Sequence, residues 1–216
     1  MTETTAPVFV CFALPGEAKP FRKVAPKSPA LRVIVTGMGR QNTERTLSAA
    51  LRDSKPALVL TCGLAGGLDP ALTLNTVLFE TADAALAARL NSAGLRAARF
   101  HCASRMAVTA AEKAALRRDT GADAVEMESD FIHGLCRQHG VRCATVRVIS
   151  DTATENLPMD FNALTTPEMK MDFGKLALAV AKSPGRIPSL LRLQRQTTVA
   201  ANVLAEALAG ILDGKD

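Results

Sequence analysis

The chain has 216 residues, of which 48% are hydrophobic, with a formal net charge of +5. That length and apolar fraction suit one compact domain with a substantial core. They exclude a disordered chain, and no apolar run approaches the length needed to span a bilayer.

The first elements alternate between strand and helix. Residues 7–14 read as a strand ended by Pro15 and Gly16, with Glu17 opening a short turn or helix that Pro20 interrupts. Leu31–Thr36 is a second strand closing in Gly-Met-Gly at 37–39, and Asn42 or Thr43 caps a helix running to about Leu51. The apolar run Ala57–Leu60 is the central strand, and it empties into TCGLAGGL at 61–68, read as a glycine-rich turn. Gly63, Gly66 and Gly67 would let a ligand approach the backbone, or would simply permit a tight strand crossing.

Shorter elements follow. Thr76–Phe79, Ala98–Ala103 and Met106–Val108 are strand candidates, and Ala82–Ala93 and Ala110–Arg118 are helical. Ala124–Met127 reads as extended, Ser129–His139 as helix and Cys143–Ile149 as a β-branched strand, with helical patterning again near Phe161. This alternation predicts a single-domain α/β fold with a Rossmann-like mixed, largely parallel sheet between helices. From Lys182 onward Pro184, Gly185 and Pro188 punctuate the chain, and Ile187, Leu190, Leu191, Val199, Val203, Leu204, Leu208, Ile211 and Leu212 then recur at helical spacing. The expected organisation is a main domain at 1–181 and an amphipathic helical extension at 182–216 packed on it.

Between Phe173 and Ala205 five basic residues (Lys175, Lys182, Arg186, Arg192 and Arg195) occur without an acid, so this stretch carries the whole charge excess. The pattern fits a terminal helix with a solvated basic face, or a peripheral contact of residues 182–195 with an anionic membrane surface. With no Trp or Tyr in the chain, nucleic acid is not an expected partner. The five cysteines (11, 62, 102, 136 and 143) form no CxxC pair and read as reduced core residues, and the three histidines lack metal-ligand spacing, so no metal is expected. The N-terminus shows no signal-peptide pattern, and a cytoplasmic location is expected.

Carboxylates mark the ends of three apolar runs. Glu17 follows the first, Glu126 and Glu128 lie two apart in VEMES, and Asp151 follows VRVIS. Strand ends converge in open α/β sheets, where desolvation prepares carboxylates for proton transfer near neutral pH. A period of two would place Glu126 and Glu128 on one side of an extended segment. Each has an ordinary alternative as a helix-start charge or N-cap.

In order and wording, ALPGE (13–17), TGMG (36–39), CGLAGGL (62–68), VEMES (125–129) and VRVISDTA (146–153) resemble the nucleoside phosphorylase and nucleosidase superfamily. GLAGGLDP, EKAALRRDTGADAVEMES and SPGRIPSLLRL look most like its hopanoid-associated phosphorylases. The resemblance implies an oligomer, dimer expected, that cleaves the N-glycosidic bond of a small-molecule or lipid-linked nucleoside. The finer match implies release of adenine from adenosylhopane. Two alternatives stand beside it: a methylthioadenosine/adenosylhomocysteine nucleosidase, and a non-catalytic nucleoside-binding or membrane-associated scaffold.

By the same resemblance Asp151 protonates the purine, Glu128 holds the ribose hydroxyls with Met127 against the sugar, and Glu17 activates water. Glu126, Ala65, Gly66 and Ser150 complete the substrate-binding set. No cofactor is implied, phosphate being the one alternative co-substrate. Leu64 stands where related nucleosidases carry Ser and ALPGE has no arginine, which leaves Gly39, Arg40 and Arg105 as candidates to hold an anion. The segment between Leu68 and Arg105 looks shorter than in relatives, where this region helps complete a neighbour's active site.

Overall fold

A computed structural model describes residues 6–166 and 168–213. Its centre is an eight-stranded sheet. Four strands are parallel neighbours in the order β2 (Leu31–Val35), β1 (Val8–Phe12), β3 (Leu58–Gly67) and β8 (Arg142–Asp151). Beyond β8, β4 (Val77–Glu80) joins antiparallel and carries β5 (Arg96–Ala97). The far end of β3 takes β7 (Ala124–Glu126) antiparallel, and β6 (Phe100–Cys102) pairs with β7. The mixed, mostly parallel α/β architecture read from the alternation is the one observed.

Helices cover both faces. On one side α1 (Pro15–Val24), α3 (Ala84–Ser92) and the long α7 (Ile187–Leu212) pack on a core of Val10, Phe12, Leu60, Phe79, Val146 and Val148. On the other side α2 (Arg40–Asp53) and α5 (Ser129–Gln138) bury Leu47, Leu51, Ile132 and Cys136 against Phe9, Cys11 and Val59. β8 is buried from Ala144 to Asp151 because both its faces are covered, which is why it reads as a continuous β-branched run. The remaining helices are α4 (Ala110–Thr120) and α6 (Phe173–Lys182).

Several local expectations are corrected. TCGLAGGL is not a turn: β3 continues through it to Gly67 beside β8, with a register shift at Ala65/Gly66. The ladder to β8 supplies the backbone partners that a turn would have forgone. Pro20 does not interrupt its helix, since burial of Ala18 and Phe21 offsets the backbone bond that proline forfeits. Met106–Val108 forms no strand: Met106 N–H donates to the Asn162 side chain at 2.9 Å instead of to a ladder. Near Phe161 there is a single 3-10 turn, Phe161–Leu164.

α7 divides by function along its length. Ala200, Leu204, Leu208 and Ile211 enter the core, whereas Ile187 and Leu191 near its start are exposed, as are Phe173 and Leu178 on α6. Leu208→Ala is therefore expected to cost about 2–5 kcal/mol. Phe173→Ala, 76% exposed, should stay within about 0.5 kcal/mol. Urea unfolding of the two variants measures the difference.

Candidate active site

The site begins with a charge in the wrong place. Arg147 sits mid-strand in β8, and its side chain is 2% exposed. Its register partner on β3 is Gly63, and a Cβ added there would lie 2.6 Å from the Arg147 Nη1. Gly63 therefore makes room for a guanidinium rather than for a ligand. Its φ of +153° also disfavours a side chain.

Arg147 Nη2 donates to Glu126 Oε2 at 2.6 Å, to Glu128 Oε2 at 3.4 Å and to Thr61 Oγ1 at 3.2 Å. Glu17 completes the ring of carboxylates from the side of β3: it accepts from the N–H groups of Leu14 (3.1 Å) and Leu64 (3.2 Å). Burial works against the Arg147 charge, but the carboxylates of Glu126, Glu128 and Glu17 outweigh it and hold the guanidinium protonated.

The two glutamates of VEMES do different work. β7 ends at Glu126 and Glu128 is the N-cap of α5, so the segment is not extended through both. Glu126 is saturated by the protein: besides Arg147 it accepts from Glu128 N (2.9 Å), Ser129 N (2.9 Å) and Ser129 Oγ (2.5 Å). It thereby satisfies orphan donors at the start of α5 and anchors Arg147. Glu128 is less committed: among the described residues it has the 3.4 Å contact to Arg147 and a 3.5 Å bond from Gly39 N. Desolvation, against the pull of Arg147 and with Glu126 and Glu17 adding to it, pushes its pKa up to about 7. Burial likewise raises the Glu17 pKa, partly countered by Arg147 and by the backbone donors.

Asp151 lines the same cavity. It is the last residue of β8, with Oδ1 accepting from Ser150 Oγ at 2.8 Å and Oδ2 accepting from Lys113 Nζ at 2.5 Å. Its register partner is Gly66, where an added Cβ would stand 3.2 Å from Asp151 Oδ2. The missing side chain keeps the face of that carboxylate open.

These groups line one cavity of about 230 Å³. Its lining includes Glu17, Leu64, Gly66, Met127, Glu128, Arg147, Ser150 and Asp151 together with the apolar Leu14, Met38, Leu157, Phe161 and Leu193. Ala65 lies just behind, its carbonyl 3.4 Å from Ser150 Oγ. Arg105 lines the cavity but is bound to Glu112 at 2.6 Å. Arg40, expected to supply charge for an anion, lies outside the wall: its Nε donates to Glu44 at 2.8 Å and its guanidinium covers the Phe131 ring. An exposed helix start offers it nearer partners than the cavity does.

Arg147 and Lys113 are not among the residues that the sequence motifs single out. The sequence signal for Arg147 is a lone cation inside the β-branched run VRVIS; the glycine across from it is set by the sheet register. Lys113 looked like any lysine in a charged helix, and nothing short of tertiary structure distinguishes it.

The fold is shared with solved nucleosidases. Futalosine hydrolase of Helicobacter pylori superposes with a TM-score of 0.73 at 16% identity, covering 98% of this chain and 99% of that one. The 5′-methylthioadenosine/S-adenosylhomocysteine nucleosidase of Campylobacter jejuni gives 0.70 at 16% identity over 95% and 98%. The S-adenosylhomocysteine nucleosidase of Streptococcus pyogenes gives 0.73 at 12% identity over the full length of both chains. Residues 77–182 match the family described as Phosphorylase superfamily. No curated protein sequence matches significantly.

The raised Glu128 pKa has a consequence for stability. A carboxyl with a higher pKa in the folded chain holds more protons when folded than when unfolded, so its contribution is greatest below the ordinary value of 4.5 and is lost as pH rises to about 7. At ~1.4 kcal/mol per unit the change amounts to about 3 kcal/mol. Glu128→Gln is expected to flatten the decline between these limits, measured by urea unfolding at a series of pH values.

Proposed function

We propose that this chain is an N-ribosyl hydrolase that releases adenine from a 5′-modified adenosine. The observation that carries the reading is the division of one cavity between Asp151, with its face kept open by Gly66, and the Glu17–Glu128 pair around Arg147. Breaking the C1′–N9 bond builds negative charge on the base and positive charge on the ribose, so an acid belongs at one end of the substrate and an anion at the other. In this reading Asp151 gives a proton to purine N7, assisted in its orientation by Ser150. Glu128 accepts from the ribose hydroxyls and stabilises the developing cation, Met127 packs on the sugar, and Glu17 removes the proton from the attacking water. The family match over residues 77–182 supports the reaction class.

Water is favoured over phosphate as the nucleophile. Arg147 donates to Glu126 and Glu128, Arg105 to Glu112 and Arg40 to Glu44, so none of these cations is left to receive an oxyanion. A phosphate dianion beside Glu17 and Glu128 would also be repelled. No cofactor is needed for this chemistry.

The apolar part of the lining supports a 5′ substituent that is itself apolar. Leu14, Met38, Leu157, Phe161 and Leu193 line the cavity, and Phe173, Leu178, Ile187 and Leu191 are exposed on α6 and α7 in the stretch that carries Lys182, Arg186, Arg192 and Arg195. The reading therefore extends to adenosylhopane in hopanoid biosynthesis, with residues 182–195 of the C-terminal extension resting on the cytoplasmic membrane surface and the protein acting as a homodimer. The second reading is a small thioether substrate, supported by the similar structures, which include methylthioadenosine nucleosidases, one from Helicobacter pylori with butyl-thio-DADMe-Immucillin-A.

The test is adenine release from adenosylhopane and from methylthioadenosine, each with and without phosphate. Release without phosphate is expected, and Asp151→Asn should lower kcat about 10²- to 10⁴-fold. Cleavage of methylthioadenosine alone would replace the hopanoid assignment by the small-substrate one. Binding of both nucleosides without turnover would leave a non-catalytic binding protein. For the membrane contact, Leu191→Ser combined with Phe173→Ser should reduce cosedimentation with vesicles containing phosphatidylglycerol.

A further inference from the structure

Lys113 is 0% exposed, a rare state for a lysine. It lies in the first turns of α4, whose start is set by Thr109 and Glu112 in a reciprocal cap. All three ammonium protons are used: Nζ donates to Asp151 Oδ2 at 2.5 Å, to Thr152 O at 2.7 Å and to Glu155 O at 2.9 Å. One of these acceptors is ionisable, and it is the carboxylate that faces the cavity. The turn that supplies the other two is itself tied to α7, because Glu155 accepts from Arg192 (3.1 Å) and Gln196 (3.0 Å).

We infer that Lys113 is a positioning residue for departure of the base: it fixes the Asp151 carboxyl against the cavity and balances the charge left there when the proton moves to the leaving group. The inference rests on the nucleosidase reading and deepens it. In the step itself the C1′–N9 bond breaks and its electron pair goes to the purine. Asp151 takes up a proton from solvent before the step and passes it to N7, which restores the carboxylate that faces the Lys113 ammonium in the structure. Water adds to C1′ and its proton goes to Glu17. With Asp151 neutral the ammonium has a weak partner, and with Asp151 ionised it has a strong one. Its attraction thus grows along the reaction, which is the condition for lowering a barrier rather than merely binding substrate. Burial magnifies the effect, since little water competes for either charge.

A purely structural lysine would affect every substrate alike, so the test varies the leaving group. Wild type, Lys113→Met, Lys113→Arg, Asp151→Asn and the Lys113→Met/Asp151→Asn double variant are assayed on two ribosides with the same 5′ group. One is methylthioadenosine, or adenosylhopane if that is the nucleoside cleaved. The other is the matching 4-nitrophenyl β-D-riboside, whose nitrophenolate departs without a proton. Lys113→Met is expected to slow adenine release about 100-fold or more, in the range of lost acid catalysis. Nitrophenolate release should fall several times less, Lys113→Arg should recover part of the adenine rate, and Lys113→Met should add almost nothing on the Asp151→Asn background.

Equal losses on both ribosides, or an additive loss in the double variant, would overturn the inference. Melting curves accompany the kinetics. If Lys113→Met does not fold, Lys113→Arg decides: a loss confined to adenine release supports the role, and one shared by both ribosides refutes it. Wild-type protein releasing nitrophenolate but no adenine would also refute it, while release of neither would remove the nucleosidase reading on which it stands.

Discussion

A buried guanidinium holds the site together. Arg147 would be costly to desolvate alone, and so would each of the carboxylates of Glu126, Glu128 and Glu17. Together they are tolerable, because Arg147 pairs with Glu126 at 2.6 Å and faces the other two. The arrangement needs a glycine opposite Arg147, a glutamate at the start of α5 and the start of α1 brought to the end of β3. Sheet order, helix placement and the chemistry of the cavity are thus linked through one side chain.

Acid exceeds base in that cluster, and its carboxylates are not equivalent. Glu126 is consumed by four donors and behaves as structure. Glu128 and Glu17, held at longer range, are the groups whose pKa values burial raises. In the same cavity Asp151 meets the opposite environment, a buried ammonium and a hydroxyl. One cavity therefore holds carboxylates in two different electrostatic settings.

The apolar part of the cavity is governed by the hydrophobic effect instead. α7 is anchored by Ala200, Leu204, Leu208 and Ile211 in the core, and its first half is largely exposed, with Leu193 joining the cavity lining. Its link to Glu155 through Arg192 and Gln196 joins this apolar lining to the turn that carries Asp151. Leu193 and Asp151, which line the same cavity, consequently share a mechanical connection through α7.

The sequence by itself determined the α/β alternation, the parallel core strands and the positions of Glu17, Glu128 and Asp151 at strand or helix ends. These follow from local periodicity and from short motifs, which survive in one dimension. Only the tertiary structure decided that TCGLAGGL is strand, that Gly63 serves Arg147 while Gly66 serves the cavity, that Glu126 is spent on α5, and that Lys113 reaches Asp151 across 38 residues. The reason is physical: what a glycine or a charge does depends on which side chain stands across from it. Register across a sheet and the burial of a helix face bring those partners together from distant parts of the chain.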